Sequence, residues 1–144
     1  MSNQLKKMTP AQKIASVKIE QGKDNYLPPL NQQDLLKIGI TQNKPIVVKR
    51  EIIARNATRH PDVSQCDINQ IIAQSLYNPT EIFKGNKEKP YYTFVKPLRL
   101  ANNKNCYDNA IVLLDIDDNK PNFEVVHWHW MSTESLARAK KRGK

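Results

Sequence analysis

The hydrophobic period of this chain switches near residue 80, and that switch restricts the folds open to it. Before the switch, apolar residues recur at helical spacing. Ile68, Ile71, Ile72 and Leu76 fall at i, i+3, i+4 and i+8, one helical stripe that starts from Asp67 as N-cap and ends at Asn78-Pro79. Ile52 and Ile53 mark the inward side of a helix over 50–59, with Arg55 and Arg59 one turn apart. His60-Pro61 closes it, because proline disfavours helical geometry in the residue before it. A short helix over 31–38 has Asn31 as N-cap, Leu30 and Leu35 as a hydrophobic staple and Gly39 as its stop. Pro45-Ile46-Val47-Val48 reads as a short strand.

After the switch come three extended runs, Tyr91–Leu98, Asn109–Ile116 and Phe123–Trp130, with Glu81–Lys84 as a candidate fourth. Asn and Asp clusters punctuate them, and the Asp117-Asp118-Asn119 turn predicts an antiparallel hairpin between the last two. A basic helix over Thr133–Arg142 follows. Helices first and a strand meander second predict an α+β fold: N-terminal helices packed on a roughly four-stranded antiparallel sheet, with a short basic C-terminal helix.

Residues 1–26 are polar and weakly patterned, so they read as a flexible leader or linker, and 27–144 as a single domain. On that reading, deleting residues 1–25 leaves a folded domain. The chain of 144 residues carries 23 Lys+Arg against 14 Asp+Glu, a formal charge of +9. Such an excess favours a polyanionic partner through counterion release, and equally an acidic protein partner. No apolar run is long enough for a membrane span. The two cysteines, Cys66 and Cys106, match no zinc or C-x-x-C spacing and read as free thiols. Walker and dinucleotide glycine motifs are absent from the sequence. Asp115, Asp117 and Asp118 lack the glycine and closing glutamate of an EF-hand.

Four groups of residues carry candidate chemistry. Arg55, Arg59 and His60 place two guanidinium forks beside a proton-transfer group; a helix-end histidine complementing the helix dipole is the plain structural reading. In Phe123-Glu124-Val125-Val126-His127-Trp128-His129-Trp130, strict alternation puts Phe123, Val125, His127 and His129 on one face and the tryptophans on the other. His-x-His is a partial zinc set with no closing ligand at convincing spacing, and the tryptophans suit core packing better than base stacking. Tyr92, Phe94 and Lys96 share a strand face, where a lysine can stabilise charge on a phosphate. Ser132 and Thr133 offer hydroxyls to a phosphate oxygen, or a cap to the last helix.

The order of these pieces resembles the phage-associated nucleases of the barnase, EndoU, colicin and RelE-like superfamily. Such domains occur at the C-terminus of MuF-type phage proteins and of polymorphic toxins. The resemblance covers roughly 27–136 and is carried by Leu27-Pro28, Ile38-Gly39, Lys44–Val48, Arg59-His60-Pro61-Asp62, Leu76–Pro79, Gly85-Asn86, Lys89-Pro90-Tyr91, Ile111–Leu114 and Asn122–Trp130. It implies a toxin-type, metal-independent endoribonuclease with no cofactor. The substrate 2′-OH attacks phosphorus to leave a 2′,3′-cyclic phosphate. His60 and His129 are the histidines that match the family's, whereas His127 departs from the neighbour expected there. Together with residue chemistry, this makes His60, His129 and Lys96 the candidate catalytic residues and Arg55, Arg59, Tyr92, His127, Ser132 and Thr133 the candidate substrate-binding residues. Implied partners are RNA, tRNA included, and an immunity or antitoxin protein. The implied form is a monomer acting in the cytoplasm after delivery within a larger phage or toxin protein. The competing readings are a non-catalytic module that binds nucleic acid or a phage structural partner, and a zinc hydrolase built on His127 and His129.

Overall fold

The computed structural model describes residues 8–59, 65–84, 88–98 and 109–142. Among them the helices are α1 (Pro10–Ser16), α2 (Gln32–Lys37), α3 (Arg50–Arg59), α4 (Gln65–Tyr77) and α5 (Thr133–Arg142). The strands are β1 (Asn25–Leu27), β2 (Ile46–Val48), β3 (Glu81–Phe83), β4 (Tyr91–Pro97), β5 (Asn109–Asp115) and β6 (Phe123–Met131). The fold is α+β, as the period switch predicts.

The sheet is larger than the expected four antiparallel strands, and it is mixed. Its six strands run in the order β1-β2-β6-β5-β4-β3. β3 to β6 form the antiparallel meander read from the sequence. β2 then joins β6 in parallel through Ile46↔Phe123 and Val47↔Glu124, and β1 extends the sheet antiparallel to β2. Three-residue strands carry too little alternation to announce a partner, and the partner of β2 lies more than seventy residues away in the chain.

The apolar stripe of α4 covers one face of the sheet. Ile71, Ile72 and Leu76 join Phe94, Val112, Leu114 and Trp128 in one buried cluster. Asn31 does precede α2, but its side chain makes no cap bond; Nδ2 donates instead to the Tyr77 carbonyl at the end of α4 (2.8 Å). Gly39 stops the α2 segment with φ of +76°, a backbone conformation that costs glycine little.

Residues 10–27 are built into the fold, unlike the leader expected from composition. Thr9 and Gln12 close a reciprocal capping box at the start of α1, with Pro10 in the first turn. Val17 and Ile19 then enter the main core, and the Ile19 N–H donates to Asn69 Oδ1 on α4 (2.8 Å). Lys13 is buried, and its ammonium donates to the Pro29 and Leu30 carbonyls. Burial pushes Lys13 below the usual lysine range, against the opposing pull of Asp34.

Two lysines fix the β5–β6 connection. Lys44 Nζ donates to the carbonyls of Asp117, Asp118 and Lys120 at 3.3, 2.9 and 2.6 Å. Lys120 pairs with Asp115 (2.9 Å) and Glu124 (3.6 Å). Its hydrogen bond to Asp115 holds the ammonium above the usual lysine range.

Candidate active site

The site forms where β6 breaks its alternation. Leu113 faces His127, but Leu114 faces Val125, so Val126 is one residue extra on β6. The bulge shifts the phase of everything after it. Phe123 and Val125 lie in the core with Trp128 and Trp130, and the two histidines turn to the opposite face. This corrects the face assignment made from strict period-2 counting: His127 and His129 do not share a face with Phe123 and Val125. The tryptophans are core residues, as their size suggests. The imidazole centroids of His127 and His129 lie 5.0 Å apart.

Among the described residues, β2 accompanies β6 only as far as Val47↔Glu124. Beyond that point α3 lies along the open edge of β6. Asn56 Oδ1 accepts the Trp128 N–H (3.2 Å), and Arg55 Nη2 donates to the Val126 carbonyl (3.3 Å). Those two backbone groups flank His127. Bonding them satisfies an exposed strand edge that would otherwise invite pairing. Arg55 and Arg59, i and i+4 on α3, thereby come to the histidines. Arg55, Asn56, Arg59, His127 and His129 line one depression of about 140 Å³.

Register also fixes what stays away. Lys96 is opposite Ala110, and Ala110 is opposite Trp130, so Lys96 lies on the core face and His129 on the other. The expected pairing of Lys96 with His129 is therefore not formed. Tyr92 also belongs to the core face, packed against the main cluster. Ser132 caps α5 by accepting the Ser135 N–H (3.2 Å), and Thr133 is the exposed first residue of that helix. His60, the next residue after Arg59, lies outside the described residues, as do Cys106 and the side chain of Cys66.

The terminal helix shares the histidine face. Leu136 packs with Val95 and Ile111, and Ile111 is the register partner of His129. The exposed cations Arg138 and Lys141 of α5 are thus on the same side of the sheet as the depression. Lys140 is tied to Glu81 (2.6 Å).

Asn56 is the site residue that sequence reading missed. A signal was present: asparagine is a poor residue for a helix interior, and one placed there needs a reason such as a tertiary hydrogen bond. The arrangement brings two imidazoles, two guanidinium groups and one carboxamide to a single opening. Those groups bind anions and move protons. Among the described residues, no group of three His, Cys, Asp or Glu is gathered for a metal ion.

The family described as large polyvalent protein-associated domain 13 matches residues 11–143. The chain belongs to this family. The match runs through α1 and β1, in keeping with their place in the core, and through the whole depression. No curated protein and no solved structure matched the chain in the other two comparisons. In this member of the polyvalent protein-associated family, no helix among the described residues is long and apolar enough to cross a membrane.

Proposed function

We propose that the depression is the active site of a metal-independent endoribonuclease. The observation that carries this reading is the convergence of His127 and His129, 5.0 Å apart, with Arg55 and Arg59 in one opening. Arg59 and the remaining donors of Arg55 hold the non-bridging oxygens of a phosphodiester. One imidazole takes the proton of the ribose 2′-OH, and the O2′–P bond forms. The P–O5′ bond breaks, and the other imidazole gives a proton to the leaving oxygen. The products are a 2′,3′-cyclic phosphate and a 5′-OH. This chemistry needs RNA, because DNA lacks the nucleophile. Association with large polyvalent proteins supports a phage-borne domain delivered within a larger chain, with an immunity or antitoxin protein as the implied partner.

Incubating the domain with total RNA in the presence of EDTA tests the reading. Defined fragments with 2′,3′-cyclic phosphate ends are expected. An intact but retarded RNA band would favour a non-catalytic binding module, and loss of cleavage in EDTA would favour a zinc hydrolase.

The position of α5 yields a second expectation. Replacing Arg138 and Lys141 with glutamine should weaken RNA binding without sequence preference. With two phosphate contacts removed, the salt slope of single-stranded RNA binding should flatten by about 1.4. Fluorescence-anisotropy titrations at several salt concentrations measure it, and an unchanged slope would place the RNA path away from α5.

A further inference from the structure

Asn56 does more in this geometry than close a strand edge. Its side chain is buried, with the residue 4% exposed, yet it lines the depression with both imidazoles and both guanidinium groups. Its oxygen accepts the Trp128 N–H, from the peptide group that joins His127 to Trp128. The other end of the carboxamide is its NH₂, a pure donor with two N–H groups. A donor pair held by a fixed side chain beside two guanidinium groups is suited to an anionic oxygen, since it needs no reorganisation when negative charge arrives.

We propose that Asn56 is a bifunctional residue of the site: its Oδ1 holds the β6 backbone that carries the two imidazoles, and its Nδ2 donates to a non-bridging oxygen of the bound phosphodiester. This rests on reading the depression as a phosphodiester-cleaving site. In the reaction, charge grows on the phosphoryl oxygens as the fifth bond to phosphorus forms. The neutral amide then strengthens a hydrogen bond already in place, while the arginines supply net charge. Such a residue binds the ground state modestly and the transition state better, so its loss falls on kcat more than on KM.

Asn56→Asp separates the two roles. The carboxylate keeps an acceptor for the Trp128 N–H and nearly the same shape, but it has no donors and it repels phosphate. The expected result is a folded protein whose cleavage rate falls by about 10²-fold, with the larger part in kcat. A measurement on the unaltered protein guards against a variant that fails to fold. The Asn56 side-chain ¹⁵N–¹H₂ resonances are followed as a dinucleotide with a 2′-deoxy sugar is added, a probe that binds the phosphate site without being cleaved. Both protons should shift along with the ring resonances of His127 and His129. If the imidazoles shift and the Asn56 amide does not, the inference is overturned while the site stands. If the unaltered protein binds the probe and moves the amide but cleaves no RNA, the endoribonuclease reading fails and the phosphate contact survives. An Asn56→Asp protein that is folded and cleaves at the parent rate also overturns the inference.

Discussion

Replacing His127 and His129 together with alanine is expected to lower RNA cleavage by at least ~10⁴-fold while leaving the protein folded. A positioned proton-transfer group contributes about 10²–10⁴ in rate, and two that act on one phosphodiester remove both the base and the acid when they are lost. The single variants should each come close to the double one, because groups that act as a unit do not contribute additively. Stability should change little. Both rings lie on the half-buried face of β6, whereas the strand is anchored from below by Trp128, which is fully buried. The measurement is the initial rate on a fluorogenic oligoribonucleotide, set beside a thermal melt of each variant. His60→Ala belongs in the same series. If His60 is the essential partner of His129, that variant loses cleavage and His127→Ala retains it; the proximity of His127 to His129 predicts that His127→Ala is itself severely impaired. A double histidine variant that cleaves at the parent rate would remove the depression from the mechanism.

The elements that follow from local pattern were legible in the sequence. The isoleucine stripe of α4, the arginines one turn apart on α3, and the meander of β4 to β6 all stand where periodicity put them. The site was legible only in part. Arg55, Arg59, His127 and His129 are brought together, but Lys96 and Tyr92 are on the far side of the sheet. That division depends on one extra residue at Val126, and period-2 counting cannot detect a bulge that pairing with β5 decides. Asn56 was hidden for a related reason: its role is a bond to a backbone group seventy-two residues away. β1 and the parallel pairing of β2 escaped because three residues hold too little pattern. The α1 segment is different, since its Thr9-Pro10-Ala11-Gln12 capping signal is local and complete. Polar composition around it obscured a sign that was there to read.

That segment sets the largest expected change in stability. Deleting residues 1–25 should destabilise the protein severely, the reverse of what a leader predicts. The deletion removes Val17 and Ile19, 5% and 4% exposed, from the main core. Each such side chain contributes about 1.5–3 kcal/mol by burial, and the α4 surface they cover is then opened to water. It also removes the Ile19 N–H from Asn69, the Lys13 ammonium from the Pro29 and Leu30 carbonyls, and Asn25 from its place opposite Val48. Losses of roughly 4–8 kcal/mol compare with a total stability of about 5–15 kcal/mol for an ordinary domain. The truncated protein should therefore melt more than about 10 °C lower or fail to fold cooperatively. Thermal and urea denaturation of the two lengths measure this directly. The full-length Val17→Ala/Ile19→Ala variant locates the cause: if core burial by these two side chains dominates, it reproduces most of the loss with α1 and β1 still present. A truncated chain with the melting temperature of the full one would show that α1 and the strand edge at Asn25 contribute nothing to the folded state.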